Sequence, residues 1–461
     1  MTVKKIRNLA PVFAALLALL AALCAPARAQ EPRAAQEPRA KLEEYMSASA
    51  RADRFSGAVL VARDGKPVFV SAYGMADVEN DVPLTPQHKF RLGSVTKQFT
   101  AAAVMLLQER GRLSTQDAVC KHVAPCPAAW QPVTLHHLLT HTSGIPSFTS
   151  LPDYKRTEPL PSPVESTIAR FRDLPLEFAP GERFNYSNSG YVLLGHVVER
   201  VSGRPYAEFL RQEFFGPLGM NDTGYDDPSL LIKRRARGYT FDGDGLRNAS
   251  FLDMTIPHAA GALYSTVGDL LIWDQALYGE KPLPRRAVAQ MFTPARNEYA
   301  YGWASTRLFD RPLVAHNGGI NGFTSSVMRF TEDRVTVVVL SNVESPYTDR
   351  IARDLAAIVF GRPYTVPAER AVARVDPKLY DDYAGEYQLA PTFSITVTRE
   401  GDRIFAQATG QPRFEIFPES EAVFFLKVVE AKMTFRRDAQ GRVTGLVLEQ
   451  GGRQLPGEKV K

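Results

Sequence analysis

The sequence predicts an α+β domain followed by a small antiparallel β-barrel or sandwich. Three observations predict it. An early hairpin and a late run of strands flank a helical middle, so one sheet is assembled from both ends of a domain. A helical pattern near residues 348–360 closes that domain. From residue 376 the chain turns to short alternating strands separated by turn signals.

The first 29 residues are set aside. Lys4, Lys5 and Arg7 precede an apolar run from Leu9 to Leu23, and Ala27-Arg28-Ala29 has the small-x-small form of a cleavage site. That is the pattern of a secretory signal. The run is short of the roughly 20 residues that a membrane span needs. An uncleaved anchor is the competing reading. Cys24 follows the bulky Leu23, which argues against a lipidated cysteine. Export to the periplasm or the extracellular space is therefore expected, with no membrane contact beyond the cleaved signal.

Residues 30–40 repeat a Glu-Pro-Arg-Ala unit and are expected to form a flexible spacer. The main domain is placed at 41–361, opening with a short amphipathic helix from Lys41 to about Ala50. Residues 57–73 alternate as two strands around the hairpin pair Asp64-Gly65. Residues 94–110 read as a helix that starts at Ser94, with Gly111 where a C-terminal cap belongs. From about 112 to 290, helical patterns are broken by Pro and Gly loops. Strands return over 301–340 and end in the β-branched run from Val335 to Leu340. Residues 362–375 read as a linker, and 376–461 as a small β domain. Its clearest strands lie at 393–398, 403–408, 422–427 and 443–448.

Of the 461 residues, 44% are apolar and 23% charged, which excludes a disordered or coiled-coil chain. The formal charge of +5 falls to +1 once the signal is removed, because residues 1–29 hold four basic residues and no acidic one. Nothing here asks for a nucleic-acid partner. The expected partner is a small-molecule or peptide substrate, and the chain is expected to act as a monomer. Cys120 and Cys126 remain after the signal. An oxidising compartment favours a local disulfide over a zinc site, since His122 is the one further ligand nearby.

Three motifs carry chemistry. In Ser94-Val-Thr-Lys97 the residues i and i+3 share a helix face, so the amine reaches the hydroxyl. A desolvated lysine favours its neutral form and can take a serine proton. The helix start adds N–H donors where an oxyanion would develop. In Tyr186-Ser187-Asn188 a phenol becomes a base or proton shuttle when cations lie beside it, and Asn188 can hold the lysine or a substrate amide. The bland reading of that stretch is a surface turn. His316-Asn317-Gly318-Gly319 lies at the opening of a strand-like segment, where glycines allow close approach. The N–H groups of Ser94 and Gly319 are the candidate oxyanion hole. The bland reading there is a loop.

Taken together, these motifs resemble the serine β-lactamase-related superfamily of class C β-lactamases, D-alanyl-D-alanine carboxypeptidases and family VIII esterases. The nucleophile motif of those families matches Ser94 and Lys97, their Tyr-x-Asn matches Tyr186 and Asn188, and their strand motif matches His316 to Gly318. Residues 90–97 and 138–145 are also similar. The resemblance covers roughly 41–360. It implies a β-lactamase/transpeptidase-like antiparallel sheet with helices beside an all-helical lobe, the site between them, and an acyl-enzyme on Ser94. Lys97 and Tyr186 would be its catalytic partners, with Asn188, His316 and Gly318 in support. The tail resembles lipocalin-like appendages. His316 and Asn317 depart from the pattern of lactam-specialised members, where Lys or Thr/Ser hold a carboxylate. A mostly neutral histidine attracts a carboxylate less, which favours uncharged esters or amides.

Several patterns are set aside. His136, His137 and His141 lie close together, but no His-Glu-x-x-His occurs. No metal and no cofactor is expected. No Gly-x-Ser-x-Gly, phosphate loop or dinucleotide fingerprint is found. Glu109 and the pair Asp226-Asp227 read as solvated charges. The expected function is a serine hydrolase that cleaves an ester, peptide or amide bond. The alternatives are a penicillin-binding carboxypeptidase or β-lactamase, and a non-catalytic sensor or scaffold on the same fold.

Overall fold

The computed structural model describes residues 33–52, 54–242, 245–367, 372–427, 429, 431–450 and 453–461. The expected signal at 1–29 lies outside the described residues, as do residues 30–32 of the expected spacer.

The hairpin forms as its turn chemistry demands. Strand β1 (Gly57–Arg63) runs into β2 (Lys66–Tyr73), and both Asp64 and Gly65 have positive φ. That is the turn whose twist matches the flanking strands. Strands β3 (Ala304–Leu308), β4 (Arg311–Ile320), β5 (Phe323–Phe330) and β6 (Val335–Ser341) complete a sheet of order β3-β4-β5-β6-β1-β2. Every neighbouring pair is antiparallel, and β1 of the N-terminal hairpin pairs β6 from Gly57↔Ser341 to Arg63↔Val335.

Alternation along the strands divides two cores. Ala58, Leu60 and Ala62 of β1 join Val338 and Leu340 of β6 in the cluster under the helical lobe. Val59, Val61, Val337 and Val339 face the other way. There they meet Leu42 and Met46 of α1 (Arg33–Arg51) and Ile351 and Leu355 of α5 (Thr348–Val359). Burial on both faces explains why β6 reads as an unbroken apolar run. On the lobe side, α2 (Thr96–Glu109) is buried from Thr96 through Leu107 and is thus a core helix. Helix α3 (Asn188–Ser202) packs beside it and ends at Gly203 in the left-handed conformation. Helix α4 (Val267–Ala276) lies against the sheet through β6 and β1.

Beyond residue 376, eight strands from Gly385–Ala390 to Arg453–Lys459 close into an antiparallel barrel. Its core includes Tyr387, Ile395, Ile404, Phe424, Phe435 and Leu446. Among the described residues no helix is long and apolar enough to cross a membrane.

Two expectations are corrected. Residues 33–40, placed in a flexible spacer, are the first turns of α1. Alanine-rich composition and an ion pair from Lys41 back to Glu37 support the helix there, despite Pro38. The His316–Gly319 stretch does not open a strand. It lies near the end of β4, in register with Val327 to Thr324 of β5. A glycine pair is locally compatible with a loop, and the ladder to β5 overrides that preference.

A buried ion pair fastens α4 to the sheet. Asp274 accepts from the Arg329 guanidinium and, at 2.7 Å, from the Thr336 hydroxyl, and both charged side chains are 1% exposed. Asp274→Ala would leave Arg329 buried without its counter-ion, a loss of about 3–5 kcal/mol. A fall in the denaturation midpoint of the purified variant is the expected outcome.

Candidate active site

Ser94 sits in a 3₁₀ turn (Gly93–Val95) that leads into α2. Gly93 has φ +54, and a Cβ there would lie 2.9 Å from the Gly319 carbonyl oxygen. A Cβ on Gly318 would fall 2.1 Å from the Leu92 oxygen and 3.1 Å from the Ser94 nitrogen. Glycine at both positions lets β4 touch the turn that carries Ser94. Ser94 and Gly319 line one cavity of about 220 Å³ together with Thr149, Asn188, Leu252 and Ile320.

Lys97, one turn after Ser94 and at the start of α2, is fully buried. Its Nζ lies 3.0 Å from Ser94 Oγ, 2.9 Å from Asn188 Oδ1 and 2.8 Å from the Ala260 carbonyl oxygen. Burial pushes its pKa well below the ordinary lysine value. The two oxygens other than Ser94 can only accept. A neutral amine gives its two N–H bonds to them and turns its lone pair to the Ser94 hydroxyl. Tyr186 approaches from the other side and donates to Ser94 Oγ at 2.8 Å. Burial raises the Tyr186 phenol above its ordinary value, while the Ser94 contact acts in the opposite direction. This corrects the expectation of a cation-lowered phenol. The Lys97 amine lies over the Tyr186 ring, 4.9 Å from its centroid, and the phenol stays protonated. The hydroxyl between them thus accepts from a phenol and can donate to an amine.

Asn188 opens α3 and is held there. Its N–H donates to Ser147 Oγ and its Nδ2 to Thr149 Oγ1, both at 3.1 Å. The Tyr186–Asn188 stretch is therefore the entry to a buried helix, not a surface turn. His316 is also buried, and its pKa falls to about 4 through burial first and the nearby Lys97 second. Its Nδ1 faces the Asn317 carbonyl oxygen, an acceptor, so the ring proton sits there. Its Nε2 then accepts from the Tyr299 hydroxyl at 2.8 Å. Both nitrogens are engaged away from Tyr186, so His316 reaches the phenol only through the Tyr299 ring. Asn317 points elsewhere and donates to Asp349 at 2.6 Å.

Sequence reasoning missed Ala260, Ser147, Thr149 and Tyr299. Ala260 acts through its backbone oxygen, which no sequence pattern marks. His141 lay in a stretch already singled out, residues 138–145, and so had a signal. Of its neighbours, His136 meets the Tyr301 hydroxyl, and His137 caps the helix Leu135–Leu139 with Thr134. Among the described residues no three His, Cys, Asp or Glu side chains gather as metal ligands. Asp226 is not solvated: it is buried between Arg91 and Arg235, because its carboxylate joins two segments of the lobe. Glu109 pairs with Arg286. Cys120 and Cys126 form a disulfide.

The family model for beta-lactamase matches residues 39–361. The chain belongs to the beta-lactamase family. A second model, for a domain of unknown function (DUF3471), matches residues 369–459. Penicillin-binding protein 4* of Bacillus subtilis (strain 168) is 30% identical over 440 residues, which span 90% of this chain and 97% of that protein. Among solved structures, the octameric penicillin-binding protein homologue from Pyrococcus abyssi is 29% identical with a TM-score of 0.65, covering 91% of this chain and 99% of that one. The D-amino acid amidase from Ochrobactrum anthropi SV3, complexed with L-phenylalanine amide, is 25% identical with a TM-score of 0.61, covering 71% of this chain and 98% of that one. This beta-lactamase-family chain thus stands among serine hydrolases that include penicillin-binding proteins and amidases.

Two outcomes are expected at the site. Gly318→Ala would drive a methyl group into the Leu92 carbonyl and part β4 from Ser94, so hydrolytic activity would be lost while circular dichroism stays native. His316 and His258, both held near a pKa of about 4 by burial, bind a proton on unfolding between about pH 4 and 6.5. The unfolded chain then holds more protons than the folded one, so stability falls as pH drops through that window. The thermal midpoint would be lower at pH 5 than at pH 7, and His316→Gln would flatten the decline.

Proposed function

We propose that this protein hydrolyses a carboxylic ester or amide bond through an acyl-enzyme on Ser94. The observation that carries the reading is Ser94 Oγ poised 2.8 Å from the Tyr186 phenol and 3.0 Å from a buried lysine amine. Ser94 Oγ attacks the acyl carbon and its proton passes to Lys97. The N–H groups of Ser94 and Gly319 hold the oxyanion. Tyr186, kept protonated by burial, gives its proton to the leaving alkoxide or amine as that bond breaks, and the Lys97 ammonium restores it. Water then attacks the ester, with the same groups working in reverse.

The substrate strand has a place to lie. Pairing between β3 and β4 ends at Ala304↔Ala315, so among the described residues no strand pairs the β4 edge from His316 onward on that side. A neutral His316 supports a leaving group without a carboxylate, such as an ester or a D-amino acid amide, and the likeness to a D-amino acid amidase supports the same class. The likeness to penicillin-binding protein 4* keeps lactams and D-alanyl peptides as the second reading. A scaffold without turnover has no need of a desolvated lysine beside a serine. The Cys120–Cys126 disulfide supports export to an oxidising compartment.

Intact-mass spectrometry of residues 30–461 with a p-nitrophenyl ester and, in parallel, a penicillin tests the reading. A Ser94 adduct that Ser94→Ala abolishes is expected; full turnover by Ser94→Ala would sink it. Lys97 works as the neutral amine, so acid protonates it and kcat/KM falls about tenfold per pH unit below its pKa. Lys97→Arg puts a permanent charge where the neutral amine stood and offers no lone pair, and the expected loss is roughly 10²–10⁴-fold or more in steady-state assays.

A further inference from the structure

The two peptide N–H groups that flank Tyr186 end on one residue. Asn185 donates its N–H to the His141 carbonyl oxygen at 2.9 Å, and Ser187 donates to His141 Nδ1 at 3.1 Å. The imidazole lies on the Tyr186 ring, with centroids 4.1 Å apart. His141 itself has φ +56, a conformation that few residues other than glycine adopt. Its carbonyl and its ring both serve the 185–187 segment in that conformation.

We propose that His141 is a positioning residue that grips the chain on both sides of Tyr186 and backs its ring, so that the phenol stays on Ser94 Oγ through acylation and deacylation. The inference rests on the acyl-enzyme reading and goes beyond it by naming what holds the proton donor.

The protonation state follows from the contacts. Nδ1 accepts the Ser187 N–H, so the ring proton is on Nε2. Nε2 is buried, with no hydrogen-bond partner among the described residues. The Tyr186, Tyr191, Tyr299 and Phe184 rings surround the imidazole. A second proton would have to displace the Ser187 bond at Nδ1. The titratable groups that face the imidazole are Lys97, His316 and the phenols of Tyr186, Tyr191 and Tyr299. Lys97 and His316 both disfavour a further positive charge, and burial disfavours it more. The ring therefore stays neutral, and the phenol it backs meets an uncharged face.

The test combines a spectrum of the wild-type protein with two variants. In ¹⁵N-labelled full-length protein, His141 is expected as the neutral Nε2–H form from pH 5 to 9, with Nδ1 shifted as an acceptor. His141→Phe keeps an aromatic face but removes the acceptor. Its kcat is expected to fall roughly 10- to 100-fold with KM changed by less than about threefold, as for misplacement of a catalytic group. His141→Asn tolerates positive φ and carries an oxygen near the Nδ1 position, so it should recover most of kcat. A titrating ring or an Nδ1–H form would overturn the proposal. So would a Phe variant with kcat within about twofold of wild type, or an Asn variant as impaired as Phe. Where His141→Phe fails to fold, the spectrum and the Asn variant decide. Should Ser94→Ala retain turnover, the acyl-enzyme reading fails by itself, while the spectrum still reports whether His141 grips Ser187.

Discussion

The structure depends on an amine taken out of water. Lys97 stands in the first turn of a helix enclosed from Thr96 to Leu107, and an ammonium there would be costly without compensation. What it meets instead is three oxygens from three places: a hydroxyl one turn back, an amide at the start of α3, and a backbone carbonyl from the short helix His258–Gly261. Two of those oxygens cannot donate. The neutral amine fits the set, and its remaining lone pair has one direction to go. The lone pair that faces the Ser94 hydroxyl is thus a consequence of packing.

That packing reaches across the molecule through glycine. Gly93 and Gly318 allow a turn of the helical lobe and a strand of the sheet to touch at backbone distance. Any side chain at either point would separate Ser94 from the strand edge. The sheet can serve as a rigid support because its central strands are covered on both faces, with α1 and α5 behind it. Asp274, Arg329 and Thr336 add a polar fastening between α4 and two of those strands.

Electrostatically the site avoids fixed positive charge. Lys97, His316 and His141 are all pushed towards their neutral forms by burial; Lys97 lowers both histidines further, and His316 lowers His141. The phenols nearby are pushed towards staying protonated. A pocket of neutral donors and acceptors can pass a proton between the lysine, the serine and the tyrosine without stabilising an ion at rest. It also offers little to a carboxylate at His316.

Much of the architecture was legible in local patterns. Asp64-Gly65 predicts a hairpin because few other pairs accept positive φ twice in succession. Ser94 and Lys97 share a face because helices repeat every 3.6 residues. Strands such as 403–408 announce themselves by alternation. The barrel strands Arg413–Pro418 and Arg453–Lys459 do not, since charge, Pro456 and Gly457 hide the alternation and neighbouring ladders create them. The sequence by itself determined which residue types stand ready, and at what spacing along the chain. Tertiary structure decided the rest. It set the protonation of Tyr186, the burial of Asp226, the strand position of His316, and the roles of Tyr299 and the Ala260 carbonyl. Each of these depends on which distant groups displace water from a side chain, and desolvation is a property of the assembled fold.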